Sequence, residues 1–258
     1  MDIKNNVILI TGGTSGFGLE FTKQFLALGN TVIVTGRDQS KLDQTKKIFP
    51  NVNIFQSDVS NPKAIVELFE KVTKQFPNLN VLVNNAGEMR KINLNDTLND
   101  VYNIGREIDI NLLGPIRMIQ QFLPHLKNQK TAAILNVTSG LALVPLPISP
   151  IYGATKSGLR SYTQSLRAQL KNTGVKVFEL LAPAAKTPLT EKFSDDMAGN
   201  PIMDADKVVA TAIKGLEKDK YEIYPGFANA IRIMSRLAPK FLLKQLTKPT
   251  DKMLSEKA

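Results

Sequence analysis

Hydrophobic positions in this chain follow two alternating patterns. Short runs such as Val7-Ile8-Leu9-Ile10 and Val32-Ile33-Val34 are continuously apolar and largely β-branched, as strands buried on both faces are. Between such runs lie longer stretches with apolar residues at helical spacing. The predicted strands are Val7–Thr11, Thr31–Thr35, Val52–Gln56, Val81–Asn85, Ala132–Thr138, Val175–Leu181 and a last one at Tyr221–Tyr224. Helices are predicted near Gly16–Leu28, Gln39–Phe49, Pro62–Phe76, Asp100–Leu126, Ser149–Asn172 and Ala205–Glu217. Pro62 after Ser60-Asn61 suits a first helical turn, while Gly29 and Gly174 suit helix ends.

This alternation predicts repeated βαβ units. The fold class is therefore α/β: a doubly wound, Rossmann-type parallel sheet of about seven strands, with helices on both faces in three layers. No repeat, low-complexity tract or composition break divides the chain, so residues 1–258 read as one domain. Two segments stand apart as a substrate lid, Thr187–Asp204, and a C-terminal extension, residues 225–258.

Composition narrows the function classes. The chain has no cysteine and one histidine, so no disulfide, no thiolate site and no metal is expected. No apolar run reaches the roughly 20 residues needed to span a bilayer. The opening Met1-Asp2-Ile3-Lys4-Asn5-Asn6 lacks the basic and apolar regions of an export signal, and a cytoplasmic location is expected. A net charge of +10 suits nucleic acid, anionic lipid or a phosphorylated cofactor. Without any Lys/Arg block or nucleic-acid motif, a lysine-rich soluble surface is the simpler reading, and no nucleic-acid partner is expected. The segment Phe227–Leu246 is basic and amphipathic, but Ala238-Pro239 interrupts its face. Packing on its own domain or on a partner subunit is favoured, and membrane association is not expected.

Two motifs carry chemistry. Thr11-Gly12-Gly13-Thr14-Ser15-Gly16-Phe17-Gly18 follows a strand and opens a helix, where glycines allow a tight turn and free N–H groups face phosphate. Alone, a glycine-rich turn is a modest signal. The second strand then ends Thr35-Gly36-Arg37; with Gly36 where a ribose-binding carboxylate would stand, Arg37 favours NADP(H) over NAD(H). Asp38 lies close enough to blur that preference. Asp58-Val59 is placed to meet the adenine, and Asn84-Asn85-Ala86-Gly87 closes the fourth strand at the ligand crevice.

In the middle of the chain, Tyr152 and Lys156 are spaced i, i+4, on one helical face. A phenol is a poor base at neutral pH, and a nearby ammonium is expected to lower its pKa. Tyr152 then becomes usable as a general acid/base, with the Ser139 hydroxyl placed to donate to a carbonyl oxygen. Such a Tyr/Lys pair is common helix decoration by itself; its weight comes from the combination with the glycine turn and Ser139. The apolar run from Gly140 to Ile148, including Leu141, is expected to line a pocket, form a subunit contact or pack in the core. Met89 and Arg90 are candidates for the pocket border.

Taken together these motifs resemble the short-chain dehydrogenase/reductase family, single-domain type, over nearly the whole chain. Asn111, in Asn111-Leu112-Leu113-Gly114, matches the family's helix asparagine. The resemblance implies a catalytic set of Asn111, Ser139, Tyr152 and Lys156. It implies Gly12, Thr14, Ser15, Gly16, Phe17, Gly18, Arg37, Asp58, Val59, Asn85, Ala86, Gly87, Tyr152, Lys156 and Thr187 as the cofactor site. Ser139, Leu141 and Tyr152 are expected at the substrate. The implied reaction interconverts a ketone or aldehyde and an alcohol by hydride transfer, with Tyr152 exchanging the proton and Asn111 fixing a relay water. The apolar run after Ser139 and the lid segment predict an apolar ketone or secondary alcohol as the small-molecule substrate, and the resemblance implies a homodimer or homotetramer. The chain departs from the family where Ala182-Pro183-Ala184-Ala185-Lys186-Thr187 replaces a Pro-Gly pair. The alternative is a catalytically silent nucleotide-sensing or structural protein of the same fold, which would commonly lose the tyrosine or lysine kept here.

Overall fold

A computed structural model describes residues 1–96, 101–196 and 202–255. Seven parallel strands form one sheet: β1 (Val7–Thr11), β2 (Thr31–Gly36), β3 (Asn53–Gln56), β4 (Leu79–Asn84), β5 (Ala132–Val137), β6 (Val175–Leu180) and β7 (Glu222–Ile223). Their order is β3-β2-β1-β4-β5-β6-β7, so the sheet grows outward in opposite directions from the β1/β4 boundary. In such sheets the ligand crevice lies beyond the carboxyl ends of those two strands.

Strand alternation explains the layers. Ile8, Ile10, Val32, Val34, Val81 and Val83 face one side, where they bury Phe21 and Phe25 of α1 (Gly16–Ala27), Leu42 of α2 (Gln39–Ile48) and Val209 of α8 (Ala205–Glu217). Leu9, Ile33, Leu82 and Ile134 face the other. There they meet Leu68 of α3 (Pro62–Gln75), Phe122 of α5 (Gly114–Lys127) and Leu166 of α6 (Pro150–Gln169). Burial on both faces is what required the continuous apolar runs.

Several boundaries moved for physical reasons. The helix expected over Asp100–Leu126 is divided into α4 (Val101–Ile108), a π turn (Asp109–Leu113) and α5; Asp100 lies outside the described residues. Pro115 accounts for the break: it has no N–H and its ring crowds the carbonyl four residues back, which belongs to Asn111. β4 begins two residues early because Leu79 pairs with Val7 before an irregularity in register. The helix expected to run to Asn172 ends at Gln169, and Thr173 closes the following turn by donating to the Leu170 carbonyl at 2.8 Å. Gly174 thus precedes β6 and does not stop a helix. Gly29, at φ +79°, does end its helix, and Pro62 follows the Asn61 cap.

Beyond β6, a single turn, α7 (Pro188–Glu191), occupies the expected lid, of which residues 197–201 lie outside the described residues. The extension after Pro225 forms α9 (Phe227–Leu237) and α10 (Pro239–Ser255), separated at Ala238-Pro239; residues 256–258 lie outside the description. Among the described residues no helix is long and apolar enough to cross a membrane.

Candidate active site

The β1–α1 turn is held by close backbone packing. Gly12, at φ +65°, donates its N–H to the Thr35 carbonyl at 2.9 Å. A Cβ on Gly18 would collide with the Gly12 carbonyl oxygen and stand 2.6 Å from Asn85 Nδ2. Asn85 braces the turn, its Nδ2 donating to the carbonyls of Thr11 at 3.0 Å and Gly12 at 3.1 Å. Thr11 Oγ1 in return accepts from the N–H groups of Asn85 and Ala86. The side-chain amide of Asn85 is thus taken up by the turn itself.

Ser15 precedes α1 in extended conformation without a side-chain cap, and the first turn carries no acidic residue. Uncapped amides at the positive end of a helix dipole fit a dinucleotide pyrophosphate. Thr14 stands beside Gly36, whose Cβ would lie 3.5 Å from the threonine methyl. Arg37 follows with its side chain 56% exposed, its Nη1 3.9 Å from Glu88 Oε2. Asp58 Oδ1 accepts from the Ser60 N–H and hydroxyl, and Val59 is buried against Gly114. Thr187 comes to the same turn from the far side: its methyl would stand 3.4 Å from a Cβ on Gly16. Its hydroxyl caps α7 through a reciprocal box with Thr190. In the segment that lacks Pro-Gly, the Lys186 N–H donates to the Met203 carbonyl, and the Met203 N–H donates to that of Ala184.

The candidate catalytic residues converge at the carboxyl ends of β4 and β5. Tyr152 and Lys156 are buried, at 6% and 4% exposure. Lys156 Nζ donates to the carbonyl of Val137 at 2.9 Å and lies 5.7 Å from the centre of the Tyr152 ring. A Cβ on Gly87 would stand 3.7 Å from that Nζ and 3.3 Å from Asn111 Oδ1, which places all three groups together. Ser139 Oγ accepts from the Leu141 N–H at 3.1 Å, capping a short 3-10 turn over Gly140–Leu143. Asn111 Nδ2 donates to the Glu88 carbonyl at 2.7 Å and to Thr155 Oγ1 at 3.3 Å.

Electrostatics correct one expectation. The phenol of Tyr152 is not lowered: burial pushes it up to about 12, with a Ser139 hydrogen bond opposing and the charge of Glu107 adding to the rise. Burial lowers Lys156 to about 8. Desolvation dominates both groups and acts in opposite directions, because it disfavours phenolate and ammonium alike.

An apolar cluster covers Tyr152. Met89, Leu146, Ile148, Phe193 and Met253 pack with it, flanked by Leu141, Leu189 and Leu246. Met89 thus borders the site as expected, while Arg90 turns away to Glu107. The apolar run after Ser139 divides its residues. Leu141 and Ile148 pack toward Tyr152, Leu143, Pro145 and Pro147 line a groove of about 440 Å³ against Gly153, Ala154 and Ser157 of α6, and Leu146 belongs to both.

Sequence reasoning missed four participants. Glu88, Glu107, Phe193 and Met253 all sit at the site, two as carboxylates and two as apolar cover. For Glu107 a signal existed, since it precedes Asn111 by four residues on one helical face. Met253 had none beyond its helical neighbour Leu246, being 60 residues or more from every other member of its cluster.

Comparison with known proteins agrees with this architecture. The family model described as short chain dehydrogenase matches residues 6–198. An uncharacterised oxidoreductase, DltE, of Bacillus subtilis is 39% identical over 248 residues, covering 95% of this chain and 98% of that protein. The NADP-dependent 3-hydroxy acid dehydrogenase YdfG of Escherichia coli is 33% identical, over 67% of this chain and 70% of its own. Among solved structures, a short chain dehydrogenase of Burkholderia cenocepacia in complex with NADP superposes with a TM-score of 0.83 at 24% identity, covering 95% of this chain and 99% of that one. The chain belongs to the short chain dehydrogenase family, and it is an oxidoreductase acting between CH–OH and C=O.

Proposed function

We propose that this protein is an NADP(H)-dependent carbonyl reductase acting on an apolar ketone or aldehyde. The observation that carries the reading is the convergence of Ser139, Tyr152, Lys156 and Asn111 beside the uncapped amino end of α1. Gly12 through Gly18 would hold the pyrophosphate, Arg37 and Thr14 the 2′-phosphate, and Lys156 and Thr187 the nicotinamide end. When bound, the nicotinamide supplies or accepts the hydride.

The residues of the chain do the rest. Tyr152, kept protonated by burial, gives its phenolic proton to the carbonyl oxygen as that oxygen gains negative charge. Ser139 stabilises the same oxygen by hydrogen bonding. Lys156 presents a cation beside the phenol that steadies the phenolate left behind. A phenol raised to about 12 is fully protonated at neutral pH, and use of NADPH favours reduction as the working direction. The apolar cluster of Met89, Leu146, Phe193 and Met253 excludes water and favours an apolar substrate. Cytoplasmic location and pairing into a homo-oligomer complete the reading.

The test is an NADPH-oxidation screen across ketones, aldehydes and β-keto esters, followed by Tyr152→Phe on the best substrate. Turnover should fall by about three orders of magnitude while NADPH still binds. Undiminished turnover in that variant would overturn the assignment.

A further inference from the structure

Four residues before Asn111, near the end of α4, the carboxylate of Glu107 is wholly buried. It does not touch the reacting groups directly. Its Oε1 accepts from the Arg90 main-chain N–H at 3.0 Å, and its Oε2 from Arg90 Nε at 3.2 Å. The rest of the guanidinium is fastened to Asn103, at 2.9 Å to Oδ1 and 3.0 Å to the carbonyl. The carbonyl of Arg90 then accepts the hydroxyl of Ser149 at 2.7 Å. Ser149 is the residue from which α6 starts, one turn before Tyr152. Two residues on, the Ile92 N–H donates to the Ile148 carbonyl at 3.1 Å. Two residues before Arg90, Glu88 is bound to Asn111 through its main chain. The loop leaving β4 therefore joins the helix segment of Asn111 to the helix of Tyr152 and Lys156, and Glu107 anchors that loop.

We propose that Glu107 is a positioning residue for the carbonyl/alcohol reaction, setting Tyr152 against Asn111 through Arg90 and Ser149. The proposal rests on the carbonyl-reductase reading above. Burial at zero exposure pushes the Glu107 carboxyl pKa up, and the charge and hydrogen bonds of Arg90 oppose that rise. The charge has a second consequence. Arg90, Glu88 and Tyr152 are the charged or titratable groups around Glu107, with Arg106 paired to Glu88 at 2.9 Å. Negative charge on Glu107 adds to the rise of the phenol pKa, for which burial is the larger cause.

Two variants test this. Glu107→Gln removes the charge and keeps the shape; Ser149→Ala cuts the link to α6 and leaves every charge in place. In Glu107→Gln, kcat for reduction should fall at least about tenfold with NADPH affinity kept, and the pH profile of alcohol oxidation should move to lower pH. In Ser149→Ala, kcat should fall several-fold with the profile unmoved. Carbon NMR of ring-labelled tyrosine, assigned with Tyr152→Phe, reads the phenol independently of turnover and should show it titrating at lower pH in Glu107→Gln. A folded Glu107→Gln with unchanged kcat and profile overturns the proposal. If Glu107→Gln does not fold, an unchanged kcat in Ser149→Ala does so. Failure of the parent to reduce any carbonyl would instead count against the proposed function, and an unmoved tyrosine signal would then overturn the role of Glu107.

Discussion

Asn111 and the main chain of Glu88 hold each other on both sides: the Glu88 N–H donates to Asn111 Oδ1 at 2.8 Å, and Asn111 Nδ2 donates to the Glu88 carbonyl at 2.7 Å. The side-chain amide pairs with the main chain as a neighbouring strand would, four residues past the end of β4. Its site, a π turn imposed by Pro115, turns it toward Gly87 and Lys156. Asn111 is therefore as much a fastener of the cofactor-side loop as a member of the proposed relay.

Replacing it shows both roles. Asn111→Ala should leave a donor and an acceptor of Glu88 without partners, at a cost of about 2 kcal/mol in unfolding free energy. Reductase activity should fall with it by at least about tenfold, since the loop also borders Lys156. Denaturant unfolding and steady-state kinetics on the same preparation check the two effects; unchanged stability would remove the fastening role.

The depressed lysine gives a pH dependence with a definite sign. Lys156, lowered to about 8, loses its proton as pH rises through that value, and reduction should then decline with it. The unfolded lysine titrates near 10.4, so between about 8 and 10.4 the unfolded chain binds more protons. On this group's account, stability rises with pH across that window while activity falls. Lys156→Met should abolish the stability trend and give a folded, inactive protein. Parallel pH–rate and pH–stability curves provide the measurement.

Cofactor preference should rest on Arg37. Its guanidinium is half exposed and only loosely paired with Glu88 at 3.9 Å, leaving it available to a phosphate. Arg37→Ala should weaken NADPH binding about tenfold, or about 1.4 kcal/mol, with NADH affinity nearly unchanged. Titration of both cofactors distinguishes this outcome from a surface role, in which neither would change.

The C-terminal helix should tune the substrate. Met253, buried beside Phe193 and Tyr152, supplies apolar cover from α10. Met253→Ala should raise KM for apolar ketones about tenfold while leaving NADPH binding intact. Equal KM values across a series of increasing chain length would exclude α10 from the pocket.

Sequence by itself determined the sheet and the identity of its ligand edge. Continuous apolar runs, glycines at the β1–α1 turn and the Tyr152/Lys156 spacing are local features, and local sterics and periodicity decide them. The Arg37 and Ser139 positions were equally legible, because each closes a strand. Tertiary structure alone decided what is non-local. Burial of Tyr152 under Phe193 and Met253 reversed the expected direction of its pKa. The ties from Glu107 through Arg90 to Ser149, and from Glu88 to Asn111, join segments 17 to 59 residues apart. Such contacts depend on where chain segments meet in space, which periodicity along the chain does not specify, and a group's desolvation is set by all of them at once.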